Sequence, residues 1–102
     1  MRLPLPGSTL LRMPAAQLRI TGGVQGVSYR ASTRAAAHAL GLTGWVRNEP
    51  DGSVTAWAQG PRAKLEALIA WCQEGPQYAS VKTVETTWSE EDPGLTGFEV
   101  RR

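Results

Sequence analysis

Two short runs that read as strands, Thr43–Asn48 and Ser53–Gln59, have Pro50, Asp51 and Gly52 between them, and stretches of helical spacing flank the pair. Proline, aspartate and glycine together supply the turn of a β-hairpin. Upstream of the hairpin, Tyr29, Thr33, Ala36, Ala37 and Leu40 recur at steps of three and four, with Ser28 placed to cap the helix and Gly41 to stop it. Its inner face is mostly alanine, so the helix can lie close against a sheet. Downstream, Gly60 and Pro61 open a second helix whose stripe is Leu65, Leu68, Ile69 and Cys72, and Gly75 with Pro76 ends it. Strand patterns lie outside both helices. Leu18 and Ile20 alternate in the first; Val84, Thr86 and Trp88 share a face of another, and Phe98 and Val100 a face of the last, after the acidic loop SEEDPG. The order is βαββαβ plus a short final strand. It predicts an α+β fold, a ferredoxin-like α/β sandwich with a mostly antiparallel sheet and two helices on one face. In that topology the first strand is central and the second returns alongside it.

A chain of 102 residues suits one domain. Residues 1–16, with three prolines and a glycine among the first fourteen, are expected to form a flexible tail, and 17–102 the domain. The tail lacks the apolar core and cleavage site of a signal peptide, and Met13 immediately before Pro14 is a candidate start of translation. Cys72 is the only cysteine, so no internal disulfide forms and no thiolate cluster can hold zinc; neither metal nor cofactor is expected. A reducing, cytoplasmic setting fits. Eleven basic and nine acidic residues give a net charge of +2, and without Arg2 and Arg12 the rest is neutral. That argues against a nucleic-acid partner, whose phosphates need a clustered basic face. No apolar run approaches the roughly 18–20 residues that span a bilayer, so no membrane association is expected.

Fold alone does not settle the chemistry, which has to come from particular residues. The first strand runs into ITGGVQGVSYR, Ile20 to Arg30. Glycines let the loop take backbone angles closed to other residues and leave its amides bare. Free amides at a helix N-terminus form an anion site, and the helix dipole adds partial positive charge. Arg30, on the first turn, brings a planar fork to an anion cradled by residues 23–27, that is by Gly23, Val24, Gln25, Gly26 and Val27. No Lys-Ser/Thr follows as in a nucleotide-binding P-loop, and a hairpin replaces the second strand of a dinucleotide-binding unit. The second constellation is GLTGWVRNEPDG, Gly41 to Gly52, where Asn48 ends a strand. As a turn residue it is unremarkable, but at the same end of the sheet as the loop its uncharged amide could hold a water beside a phosphate without repelling the anion.

These two motifs, Gly22 to Arg30 and then GLTGWVRN with DGSV, resemble the acylphosphatase family in order and spacing, over Leu18 to Arg101, 84 of the 102 residues. The resemblance implies hydrolysis of small acyl phosphates, with Arg30 as the phosphate-binding arginine and Asn48 as the asparagine that positions the attacking water. It agrees with the βαββαβ order. The family commonly has Arg or Lys at the position of Gly23, which puts affinity for highly charged substrates in question; Tyr29 stands where the family often has Phe. Similar domains also occur inside larger carbamoyl-transfer proteins, but this chain has no cysteines for their zinc fingers and is expected to act as a monomer.

The remaining candidates read as structural. His38 lies on a different stripe from the helix core and is expected at the surface. Cys72, on an apolar stripe, is expected in the core. Trp45, Trp57, Trp71 and Trp88 are expected to pack or lie at half-buried edges rather than stack bases. Two other functions remain open: a non-catalytic phosphate-binding or regulatory module, and a ferredoxin-like nucleic-acid binder.

Overall fold

The structure, a computed structural model, describes residues 12–102. Its elements are β1 (Pro14–Gly23), α1 (Tyr29–Ala39), β2 (Thr43–Asn48), β3 (Val54–Gln59), α2 (Arg62–Glu74), β4 (Ser80–Glu90) and β5 (Phe98–Arg101). The strands form one sheet in the order β4-β1-β3-β2-β5. The pairs β1–β3, β1–β4 and β2–β3 are antiparallel, and only the edge strand β5 runs parallel to its neighbour β2. β1 is an interior strand, as expected, but its neighbours are β4 and β3 and not β2. The hairpin inserts β3 between β1 and β2, so the crossover through α1 spans one intervening strand.

One face of the sheet carries the core. Leu18 and Ile20 of β1, Val46 of β2, Val54, Ala56 and Ala58 of β3 and Phe98 of β5 cluster with Tyr29 and Ala37 of α1 and with Leu65, Leu68 and Cys72 of α2. Both helices therefore cover the same face, and the alternation read from the sequence selects it. Ala36, Leu40 and Ile69 complete the predicted stripes as partly buried neighbours. Thr33 is buried without penalty because its Oγ1 donates to the Tyr29 carbonyl at 2.8 Å. Burial pushes the Cys72 thiol up to about 12, so it remains a protonated core residue. His38 is exposed, as expected.

The first strand begins three residues before Gln17. Of the expected tail, residues 1–11 lie outside the described residues, but Pro14, Ala15 and Ala16 pair with Glu90, Ser89 and Trp88 of β4. Proline is tolerated at the first position of a strand. The two alanines are buried yet carry too little apolar contrast to show an alternating pattern. β1 ends in a bulge, where the register with β4 shifts between Thr21 and Gly22. Gly22 takes φ 118°, and a Cβ there would collide with the Ser80 carbonyl and approach the Lys82 amide to 2.7 Å. The bulge turns the chain out of the sheet into the loop before α1.

The tryptophans pack in different ways. Trp71 lies against Tyr29 with ring centroids 5.7 Å apart. Trp45 and Trp57 are cross-strand partners on the face away from the helices, and the guanidiniums of Arg47 and Arg101 sit 5.0 and 4.9 Å from the Trp45 ring. Trp88 is 39% exposed beneath Arg62, whose guanidinium is 3.8 Å from the ring centroid.

Candidate active site

The loop between β1 and α1 is pinned by its side chains and leaves its backbone open. Val24 is fully buried and Val27 packs against the core from its edge. Gln25 reaches the hairpin, its Nε2 donating to the carbonyls of Glu49 at 2.8 Å and Ser53 at 2.9 Å. Gly26 takes φ 78°. The amide of Val24 closes a tight turn onto the Gly22 carbonyl at 3.0 Å, and Gly23 belongs to the β1–β4 pairing. The open part of the expected 23–27 cradle is thus displaced toward the helix: among the described residues, no backbone carbonyl accepts from the amides of residues 25–28.

Ser28 occupies the N-cap position but does not act as the expected cap. Its side chain makes no capping hydrogen bond, and its backbone lies in the left-handed region, φ 64° and ψ 26°, the one non-glycine residue described there. Such a conformation costs an L-residue about 1–2 kcal/mol. Ser28→Gly should therefore raise stability by about 0.5–1 kcal/mol, a few degrees in Tm by tryptophan fluorescence. A lower Tm would show that the backbone is unstrained. The first turn of α1 carries no carboxylate to offset its dipole, so its N-terminus can attract an anion.

Arg30 is half-buried, and its Nη1 donates to the Arg101 carbonyl at the end of β5 at 2.9 Å. One of five donors is spent on holding the guanidinium still. Two residues of α1 are tied to the same edge strand, since Arg34 Nε donates to the Phe98 carbonyl at 3.0 Å. Other arginines are partnered with acids: Arg19 with Asp51, Arg47 with Glu49 and Arg101 with Glu99. Among the described residues, no carboxylate lies within ion-pair distance of Arg30. Its charge is left for a ligand.

Asn48 arrives from the other side. It ends β2, pairs with Val54 and projects on the helix-bearing face of the sheet. The turn beyond it is rigid: Asp51 accepts from Ser53 N at 2.9 Å, from Ser53 Oγ at 2.6 Å and from Arg19 of β1 at 2.8 Å. The two Ser53 hydrogen bonds, and then Arg19, hold the Asp51 carboxyl well below the usual carboxylate range. Turn, loop and β1 are therefore fastened together around Gln25 and Arg19.

A cavity of about 190 Å³ lies where these parts meet, and Arg30 and Asn48 both line it. Val24 and Gly26 of the loop border it; Gly23, Gln25 and Val27 do not, and Gln25 acts as a strut instead. The wall also contains residues that the sequence reading did not assign to the site, namely Ser28, Tyr29, Ala31 and Val100. Among the described residues, Arg30 is the one charged side chain in it. Neither His38 nor Cys72 reaches it. Tyr29 is instead anchored in the core, its hydroxyl donating to the Cys72 carbonyl at 2.8 Å, and burial raises the phenol far above its ordinary pKa. Among the described residues, no cluster of histidine, cysteine or acidic side chains could hold a metal ion.

The family model for acylphosphatase matches residues 16–100. The acylphosphatase of Salinibacter ruber is 54% identical over 84 residues, which are 82% of this chain and 88% of that protein. The acylphosphatase of Thermococcus kodakarensis is 52% identical over 85 residues, covering 83% of this chain and 92% of the relative. Among solved structures, the crystal structure of acylphosphatase from Bacillus subtilis superposes with a TM-score of 0.85 at 29% identity, over 88% of this chain and 100% of that one. Full-length HypF matches with a TM-score of 0.78 at 22% identity over 12% of its length, a likeness of fold alone.

Proposed function

Because this chain belongs to the acylphosphatase family, we propose that it hydrolyses acyl phosphates by direct attack of a water that Asn48 positions on a phosphoryl group held by Arg30 and the loop amides. The reaction is cleavage of the carboxyl-phosphate bond to carboxylate and inorganic phosphate. The observation that carries the residue roles is the convergence of Arg30, free of acidic partners, and Asn48 on one cavity beside open amides.

The chemistry suits so small a set of groups. The leaving carboxylate has a conjugate acid with a pKa near 4, so it departs without a general acid. In a loose phosphoryl-transfer transition state the protein mainly positions the water and balances charge on the equatorial oxygens. Arg30 offers a planar fork fixed by the Arg101 carbonyl, and the amides from residue 25 onward add donors aligned with the helix dipole. Asn48 both donates and accepts, which lets it orient a water without placing negative charge beside the phosphate. Among the described residues, Ser28 is the one hydroxyl-bearing aliphatic side chain in the wall, and no histidine, lysine or carboxylate of theirs lines the wall beside it to activate it as a nucleophile. None of these steps calls for a metal ion.

Hydrolysis in ¹⁸O-water tests the direct attack. The label should enter phosphate and not the carboxylate, with no phosphorylated protein trapped on the millisecond scale. Label in the carboxylate, or a trapped phosphoprotein, would overturn this mechanism.

The catalytic unit begins with β1 at Pro14, three residues ahead of the expected boundary at 17, and runs to residue 102; the small acyl phosphate is its partner, and Arg30, Asn48 and the loop come from one chain, which supports a monomer. A cytoplasmic setting is supported by the single buried thiol; no described helix is long and apolar enough to cross a membrane. On the open sheet face the arginines 19, 47 and 101 are each paired with a carboxylate, which favours a small anion over a nucleic acid as partner. Gly23 leaves the loop without the cation common in the family, and a Cβ there would meet Ser80 Cβ at an ordinary 3.5 Å, so space does not exclude a side chain.

A further inference from the structure

Val100 is 38% exposed although it lies on the face of the sheet that carries the core. It lies in β5, opposite Val46 in the parallel register. The carbonyl of the next residue, Arg101, holds the guanidinium of Arg30, so the backbone that fixes the phosphate-binding group also fixes Val100 beside it. Both Val100 and Arg30 line the cavity.

The cavity wall divides by chemistry. Arg30, Ser28, Asn48 and the backbone around Gly26 are its polar part, which the reading above assigns to the phosphoryl group and the water. What is left for the third component of the reaction, the acyl group, is apolar. Val24 and Tyr29 are fully buried and offer little surface, whereas Ala31 and Val100 are exposed. Among the described residues, no second cation lines the cavity to meet a carboxylate or a second phosphate on the acyl side.

Resting on the acylphosphatase reading above, we propose that Val100 and Ala31 form the acyl-binding wall and that the preferred substrates are phosphoric anhydrides of uncharged, apolar carboxylic acids. Val100 is then a specificity-determining residue. Its side chain contributes contact area that grows with the acyl chain, while the acyl phosphate of a dicarboxylic acid brings a carboxylate against valine and has to desolvate it there.

The test compares kcat/KM for acetyl phosphate, butyryl phosphate and the monophosphate of a four-carbon dicarboxylic acid, in the wild type and in two variants. Butyryl phosphate should exceed acetyl phosphate about tenfold in the wild type, less than two methylenes are worth in a closed apolar pocket because the wall is open on one side. The dicarboxylic substrate should fall about tenfold below butyryl phosphate. Val100→Thr keeps the shape and the β-branch but adds a hydroxyl, and should reduce the butyryl-to-acetyl ratio to about 2. Val100→Lys should reverse the order of butyryl and dicarboxylic substrates. A merely structural valine would change all three substrates by one common factor, since the anchor of Arg30 is a backbone carbonyl that both variants retain.

Equal wild-type rates for acetyl and butyryl phosphate, or ratios unchanged in both variants, would overturn the acyl-wall assignment while leaving the phosphatase reading intact. Absence of hydrolysis of all three substrates would overturn both.

Discussion

Arg30→Ala should lower kcat/KM for an acyl phosphate by about 10³-fold or more, the scale on which a transition-state arginine acts in phosphoryl transfer. Among the described residues the guanidinium is the one charged side chain lining the cavity, so none of them replaces it. The fold should survive, because the substitution removes a single hydrogen bond to the Arg101 carbonyl at a half-buried position, about 1 kcal/mol. Arg30→Lys should fail almost as badly. An ammonium cannot grip the β5 carbonyl and two phosphoryl oxygens with the same planar geometry. Steady-state kinetics with circular dichroism on both variants checks this; a rate near wild type in either would remove Arg30 from the mechanism.

Asn48→Ala should reduce kcat by about 100-fold and leave KM within a few-fold of the wild type. A group that orients the attacking water acts mainly in the transition state, and phosphate affinity remains with Arg30 and the loop. Asn48→Asp should be at least as impaired, since it sets a carboxylate beside the phosphate in a cavity where Arg30 is the one cation among the described residues. A rise in KM at constant kcat would instead make Asn48 a binding residue.

The parts of the fold written in periodic patterns could be read directly from the chain. Both helices announce themselves through stripes ended by Gly41 and Gly75, and the β2–β3 hairpin through Pro50, Asp51 and Gly52; in the structure the hairpin also bonds Asp51 to Ser53 and Arg19. The beginning of β1 was harder to see, because Pro14, Ala15 and Ala16 lack the apolar contrast that marks a strand. Strand order beyond nearest neighbours depends on crossovers, which leave no local pattern. Hence neither the central place of β3 nor the parallel pairing of β5 with β2 was legible.

The same distinction governs the site. Arg30 and Asn48 were identifiable from residue type and position, and the cavity brings them together. The contribution of β5 was not, since it acts through the Arg101 carbonyl, a group every residue possesses, and through Val100, which reads as an ordinary strand residue. The loop motif was seen as a cradle, but its division of labour needed coordinates. Val24 and Val27 are pegs, Gln25 is a strut to the hairpin, and the unbonded amides start only at residue 25. Ser28 looked like a helix cap from its side chain, whereas its left-handed backbone prevents that role.

The most direct test of the account is release of inorganic phosphate from acetyl phosphate with excess chelator present, with Arg30→Ala measured in parallel. The account predicts chelator-insensitive hydrolysis that is lost in the variant. Measurable phosphate binding with no turnover above the uncatalysed rate would contradict it, and would make the loop and Arg30 an anion receptor instead of a catalytic site.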